Sequence, residues 1–340
     1  MSFNGKINAV RRKIMHALTR GVGNDKITAN KPDVKRAFIC RPNSRLGNQL
    51  MITPIVQEII KMYPHCKIDL FVRGNLSAIL FEKYDNIDRI IKLPKKPFKQ
   101  LFKYLKVWFS LRKYKYDLAI NVDGHSSSGR LATKWIKSKI KLFGDINEQL
   151  LAKYGDYVHM AKQPVYNLRH LLSPELLETP IPTLNIRLSA DELENGKKVL
   201  DSIVDSNKKT IGIYTFATGH KCLSKTLWTQ MYKGIVSEYG EKYNILEILP
   251  VENVSQIDFA AHAYYSKDIR EIAALMANTE LFFGADSGMM HLASAAPTPT
   301  IGLFTITSVD TYCPYNKGSI TINPTTMNLD EIIQTIASTL

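Results

Sequence analysis

The sequence predicts an α/β chain of two domains, each a doubly wound parallel sheet with helices on both faces. Three observations predict it. The chain has 340 residues, and about 100–200 residues make a typical domain. Short apolar runs alternate with stretches of helical periodicity, the pattern of a parallel sheet. The alternation lapses across Thr179–Ser189, which holds Pro180 and Pro182, and then starts again. The expected domains are 1–182 and 183–340.

In the first half, Arg36–Arg41 (RAFICR) is an apolar strand that runs into the loop Pro42–Asn48. The helix expected next, Gln49–Met62, stops at Tyr63-Pro64, because proline cannot continue it. Strands follow at Lys67–Arg73, Ile87–Leu93 and Asp117–Val122, the last leading into the polar loop Asp123–Gly129. In the second half, Ser189-Ala190-Asp191-Glu192 carries a helix-start signal. Strands are expected at Thr210–Thr215, Tyr243–Leu249, Glu280–Gly284 and, as the final one, Thr300–Phe304. Helices are expected at Trp228–Tyr239, Ile269–Met276, Gly288–Ala296 and Leu329–Leu340.

Apolar residues make up 45% of the chain and charged residues 22%, which suits two ordinary cores and argues against bulk disorder. The four cysteines, Cys40, Cys66, Cys222 and Cys313, lie far apart with no CxxC pair, so they read as free thiols in a reducing compartment. No apolar run approaches the roughly 18 residues that span a bilayer. Met1–Arg20 lacks the apolar core and small-residue site of a secretory signal. A cytoplasmic location is expected. The net charge of +14 is uneven: residues 1–180 hold 33 Lys and Arg against 14 Asp and Glu, and residues 181–340 hold 12 against 17. A basic half points to an anionic partner, whether a membrane surface, a phosphorylated glycolipid or nucleic acid; a solubilising excess of lysine is the plain alternative.

Four loops carry candidate chemistry. In Phe283–Ala295 (FGADSGMMHLASA) an apolar strand ends in a tight polar turn that feeds a helix. Ligands in open parallel sheets sit beyond the carboxyl ends of strands, and a helix N-terminus there suits a phosphate. Gly288 lets the backbone approach a ligand, and Ser287 is placed to cap the helix or donate to an oxygen. Asp286 would repel a phosphate, so it is expected to meet sugar hydroxyls or to hold a lysine. On spacing alone, Asp286 and Ser287 also read as ordinary caps and His291 as a core histidine. The loop Thr215–Trp228 (TFATGHKCLSKTLW) presents Thr215, Thr218, His220, Lys221 and Lys225, and is expected to face the same crevice as Asp286. A lysine there neutralises a diphosphate leaving group without a metal. Arg41–Pro54 (RPNSRLGNQLMITP) and Asp123–Gly129 (DGHSSSG) follow first-half strands, and Asp123 or His125 is a candidate base.

Together these segments resemble glycosyltransferase family 9, whose best-known members are the lipopolysaccharide heptosyltransferases. The resemblance runs through most of residues 36–325. It rests on RLGNQLMITPIVQEIIKMYP, YDLAIN, Lys221–Trp228 and, above all, DIREIAALMANTELFFGADSGMMHLASAAPTPTIGLF. The family's aspartate, small hydroxyl, glycine and histidine match Asp286, Ser287, Gly288 and His291. The resemblance implies a GT-B fold, with two Rossmann-like domains facing a central cleft, and inverting, metal-independent transfer from a nucleotide sugar. It implies donor contacts from Thr215, Thr218, Lys221, Asp286, Ser287, Gly288, Met289 and His291, and acceptor contacts from Arg45, Gly47 and Asn48. Three positions depart from the family pattern. The common Gly-Asp, whose aspartate is the presumed base, is Gly47-Asn48 here; the tryptophan after the lysine is Leu223; the glycine after the last strand is Thr305. An amide accepts no proton at neutral pH, so Asn48 orients the acceptor, and either Asp123 or His125 takes the base role or the protein turns over slowly or not at all.

Lys92–Tyr116 (KLPKKPFKQLFKYLKVWFSLRKYKY) is expected to form an amphipathic helix. Phe98, Leu101, Phe102, Leu105, Trp108 and Phe109 make one apolar face, with lysines and Arg112 on the other. Such a helix suits an anionic lipid interface, or packs on the sheet with a solvated basic face. Ile7, Val10, Ile14 and Leu18 among Arg11, Arg12 and Lys13 make a weaker second candidate. The expected protein is therefore a transferase, peripheral on the cytoplasmic face of the inner membrane. It moves heptose or another sugar from a nucleotide-diphosphate donor, ADP-heptose-like, to a lipopolysaccharide-core or related anionic glycolipid acceptor, and needs no cofactor or metal. A catalytically inactive nucleotide-sugar-binding protein is the rival. A nicotinamide oxidoreductase is disfavoured because no G-x-G-x-x-G follows the first strand, and no nucleic-acid-binding motif is present.

Overall fold

The structure is a computed structural model, and it describes residues 17–19, 21–25, 32–94 and 100–340. The chain divides into two compact units: Met1–Ser44 with Ile52–Pro182, and Arg45–Met51 with Thr183–Leu340. A short segment of the first half of the sequence, Arg45–Met51, thus belongs to the second unit.

In chain order the first part contains β1 (Arg36–Arg41), α1 (Leu46–Leu50), α2 (Thr53–Met62), β2 (Lys67–Arg73), α3 (Leu76–Leu80) and β3 (Ile87–Leu93). Then come α4 (Leu101–Ser110), β4 (Lys115–Asn121), α5 (Ser127–Trp135), β5 (Lys137–Leu142), α6 (Glu148–Lys153) and α7 (Gln163–Leu172). The five strands pair in parallel in the order β3-β2-β1-β4-β5. Chain order reverses between β1 and β4, so the loops after these two strands flank the switch point, where ligands of such sheets bind. The inner strands are apolar because both faces are covered; Ala37, Phe38, Ile39 and Cys40 are fully buried. Phe38 stacks on Phe71 and packs at a tilt against Tyr116 in the core beneath α4.

The second unit contains α8 (Ala190–Asp201), β6 (Lys209–Tyr214), α9 (Lys225–Tyr239), β7 (Tyr243–Ile248), β8 (His262–Tyr264) and α10 (Ile269–Met276). It continues with β9 (Leu281–Ala285), α11 (Gly288–Ala295), β10 (Thr300–Leu303), α12 (Val309–Tyr312), β11 (Ile320–Ile322) and α13 (Leu329–Ala337). Its sheet is parallel in the order β11-β10-β9-β6-β7-β8, with the switch point between β6 and β9. Trp228 of α9 packs edge-on against Phe283 of β9, ring centroids 6.0 Å apart. The helix-start signal at Ser189 is a complete capping box with Glu192. The Glu192 carboxyl is held down to about 2, chiefly by the Arg270 guanidinium.

Several expected elements differ in the structure. The helix expected over Gln49–Met62 is two helices, α1 and α2, with Pro54 in the first turn of α2, where its missing N–H costs nothing. The helix expected over Lys92–Tyr116 is confined to Leu101–Ser110 among the described residues, because Lys92 and Leu93 end β3 and Lys115 and Tyr116 begin β4. Phe98 lies outside the described residues, as do Ile7, Val10, Arg11, Arg12, Lys13 and Ile14 of the N-terminal candidate. Thr300–Leu303 is not the final strand, since β11 follows and pairs with it. The four cysteines are free thiols, and burial pushes the Cys66 thiol up to about 12.

Candidate functional site

Both second-half candidate loops leave strands at the switch point of the second unit. β6 ends at Tyr214, and Thr215 turns the chain inward. The Thr215 hydroxyl donates to Glu247 Oε1 at 2.6 Å and accepts the Gln256 N–H at 3.1 Å. Glu247 projects from β7 and is completely buried; burial pushes its carboxyl pKa up, against the lowering effect of the Thr215 bond. Thr215 is therefore engaged in fixing the start of the loop. Thr218 and His220 are exposed beyond it. Ser224 caps α9 by accepting the Leu227 N–H, and Lys225 pairs with Asp258 at 2.5 Å.

Opposite, β9 delivers Asp286 to the floor of the same region. Its N–H donates to the Leu303 carbonyl at 3.1 Å, which fixes the turn to the neighbouring strand. Lys221 Nζ meets Asp286 Oδ2 at 2.6 Å, joining two loops that are far apart in sequence. The carboxylate side is 6% exposed and the ammonium side 38%, so the pair has a buried anchor and an accessible cation. Ser287 caps α11, its hydroxyl accepting the N–H groups of Met289 at 3.2 Å and Met290 at 3.4 Å. The positive end of α11 and the Lys221 ammonium thus flank one turn.

The segment Arg45–Met51 completes this site within the same unit. A Cβ built at Gly47 would collide with the His291 imidazole of α11. A Cβ at Gly288 would lie 3.0 Å from the Leu46 Cβ. The two helices approach that closely because each has a glycine at the contact. The space over Gly288 that the sequence reading left for a ligand is taken by Leu46. His291 is 5% exposed, Asn48 half-buried and Arg45 exposed on the same segment. Gly47→Ala is expected to destabilise the second unit by about 1–3 kcal/mol, the range for overpacking. Thermal unfolding of the variant should fall by several degrees, and an unchanged Tm would remove this contact from the account.

Asp123 and His125 lie in the first unit, after β4. Asn121 fixes that loop by donating to the carbonyls of Asp123 at 2.7 Å and Phe143 at 2.8 Å. The Asp123 carboxylate accepts the backbone N–H of His125 at 3.0 Å, and the imidazole is exposed. The carboxylate thus orients the loop backbone. Ser126 caps α5, so the polar stretch expected as a loop up to Gly129 already contains the start of a helix.

The structure brings Lys221, Asp286, Ser287, Gly288, Met289, His291, Gly47 and Asn48 into one unit and leaves Asp123 and His125 on the other. Glu247 and Leu46 also belong to the site, although neither is singled out by a sequence motif. A carboxylate inside the apolar strand YNILEI was the available signal for Glu247. Leu46 had none, since its partner is met only in the fold. Among the described residues, no three His, Cys, Asp or Glu side chains gather as metal ligands.

Two parallel-sheet α/β units of this topology define a fold of the GT-B type. Residues 266–332 match the family model for glycosyltransferase family 9 (heptosyltransferase). A lipopolysaccharide heptosyltransferase 3 of Escherichia coli is 21% identical over 293 residues, covering 81% of this chain and 85% of that protein. A glycosyl transferase family 9 structure from Veillonella parvula superposes with a TM-score of 0.70 at 15% identity, covering 93% of this chain and 99% of that one. The Escherichia coli heptosyltransferase WaaC with ADP gives 0.66 at 14% identity, covering 90% and 100%. The chain is thus similar to heptosyltransferases over most of its length and meets the glycosyltransferase family 9 model over residues 266–332.

Proposed function

We propose that the chain transfers heptose or a related sugar from an ADP-linked donor to a lipopolysaccharide-core or similar anionic glycolipid acceptor. The observation that carries this reading is the Lys221–Asp286 pair at the switch point of the second unit, beside the capped N-terminus of α11. The cation and the helix dipole are the groups a departing nucleotide diphosphate needs. Asp286 holds the lysine in place and, in this reading, meets sugar hydroxyls rather than phosphate. Residues 183–340 take the donor, with Thr218, Ser287 and Met289 around it, Thr215 supporting the loop, and Gly288 and His291 packed beneath against Leu46 and Gly47. Residues 1–182 take the acceptor, with Arg45 and Asn48, on the segment that packs with the second unit, presented to it and Gly47 seating that segment against His291. The name of the Escherichia coli relative and the ADP bound to WaaC support the choice of acceptor and nucleotide.

Transfer is inverting and independent of metal or other cofactor in this reading, because the lysine and helix end supply the positive charge. Incubation with ADP-heptose and lipopolysaccharide core is expected to release ADP at full rate in excess chelator and to give a product of opposite anomeric configuration. Activity that vanishes with chelator and returns with magnesium would overturn the metal-free account. The basic first half supports attachment to the cytoplasmic face of the inner membrane at an anionic surface. Among the described residues no helix is long and apolar enough to cross a membrane.

A second reading, a nucleotide-sugar-binding protein without turnover, is favoured by one observation: Asn48 stands where the family resemblance places an aspartate. ADP binding without transfer to any lipopolysaccharide acceptor would select it.

A further inference from the structure

Helix α4 has two apolar faces, and among the described residues one of them packs on the fold. Tyr104, Val107 and Trp108 pack on the core of the first unit, with the Trp108 ring edge-on to Phe71 at 5.8 Å. The single apolar face expected from sequence therefore splits: Trp108 turns inward, and Leu101, Phe102, Leu105 and Phe109 turn outward. Phe102 is 89% exposed and Phe109 66%. Two large aromatic rings held in water on one short helix mark an interaction surface. The patch extends at the C-terminal end of α4, where the exposed Trp135 donates its indole N–H to the Trp108 carbonyl at 3.2 Å. The Arg112 guanidinium lies 5.1 Å from the centre of the Trp135 ring.

The charge around the patch says what covers it. From Arg89 to Tyr116 the sequence has ten Lys and Arg and no Asp or Glu. Lys103, Lys106, Arg112, Lys113 and Lys115 are exposed around the rings. Protein interfaces are depleted of lysine near their centres, and two copies of this face would meet lysine against lysine. An anionic bilayer surface fits both features: the rings enter the acyl boundary while lysine stems reach out to headgroup phosphates. We infer that the outer face of α4, with Phe102 and Phe109 as its inserting side chains, is the site by which the protein lands on anionic phospholipid. This rests on the peripheral-attachment reading above and names the surface responsible.

Co-sedimentation of the full chain with vesicles of phosphatidylcholine, with and without phosphatidylglycerol, tests it. The wild type is expected to bind phosphatidylglycerol vesicles at least about tenfold more tightly than neutral ones, with binding lost at high salt. The double variant Phe102→Ser/Phe109→Ser should bind about tenfold or more weakly, from the lost apolar burial. Trp108→Phe should bind as the wild type does. Circular dichroism and the thermal unfolding midpoint, measured on the same samples without vesicles, should be unchanged in every variant and confirm that each is folded. Wild-type binding that survives intact in the double variant overturns the α4 assignment and leaves peripheral attachment standing. Absence of wild-type binding to phosphatidylglycerol overturns both. Equal binding to neutral vesicles overturns the anionic specificity. Self-association that disappears in the double variant, without any vesicle binding, overturns the inference in favour of a second copy of the chain.

Discussion

Lys221→Ala is expected to weaken ADP binding by about ten- to a hundredfold, the 1.5–3 kcal/mol scale of a hydrogen bond to a charged group. Two effects add. The variant loses the cation that meets the diphosphate. It also leaves the buried Asp286 carboxylate without its 2.6 Å partner and facing an anionic ligand. Burying an unpaired carboxylate is costly, so the folded state should weaken as well. Lys221→Arg retains the charge but replaces a compact ammonium with a planar fork, and should recover part of the affinity. Asp286→Asn separates the two effects. It removes the repulsion and the anchor together, so its ADP affinity should fall less than that of Lys221→Ala. Isothermal calorimetry on folded protein reads all three. A Lys221→Ala variant that binds ADP like the wild type would falsify the donor assignment.

The strands of both sheets were legible wherever a short apolar run was bounded by glycine, proline or asparagine. RAFICR, KIDLFVR and ELFFG follow that rule because inner parallel strands are buried on both faces. The edge strand β5 was missed because KSKIKL alternates lysine with apolar residues, and only Ile140 and Leu142 are buried. The three-residue β11 is too short to have a period. α4 was legible as amphipathic, but sequence periodicity reports that a helix has apolar positions and not which of them meets the core. Trp108 and Phe109 are adjacent in sequence and point to different surroundings. The break between α1 and α2 was marked by Pro54, yet the transfer of Arg45–Met51 to the second unit depends on Gly47 and Gly288 meeting across the fold, which no local pattern encodes. In the site, a strand ending in Ala285-Asp286-Ser287-Gly288 fixed the turn and its cap. Pairing of Asp286 with Lys221 was one of two alternatives that electrostatics allowed, because an aspartate beside a phosphate site needs a cation or a hydroxyl. The support of Thr215 by Glu247 was hidden, since a buried carboxylate in a strand has no signature of its partner.

The base required for transfer gives the other large effect. An acceptor hydroxyl must lose a proton as it attacks the anomeric carbon, and Asn48 supplies no basic group. The loop after β4 carries Asp123 and His125, one a carboxylate and the other an imidazole. Imidazole is the side chain most often used as a general base, and His125 is the exposed one of the two. His125→Ala is expected to lower kcat by about a hundredfold or more. Asp123→Ala should do the same, by removing either the base or the acceptor of the His125 backbone N–H. Asp123→Asn distinguishes the two, because its amide oxygen still accepts that N–H while its basicity is gone. If His125 is the base, Asp123→Asn keeps most of the wild-type kcat while His125→Ala stays slow. If Asp123 is the base, Asp123→Asn is as slow as Asp123→Ala. Asn48→Asp tests the remaining position. It places a carboxylate on the segment that Gly47 seats against His291, and it should raise turnover, or create it in a protein that otherwise only binds nucleotide sugar. Full activity of both first-unit variants, together with no gain from Asn48→Asp against a verified acceptor, would show that the proton leaves by another group and that neither loop faces the reacting hydroxyl.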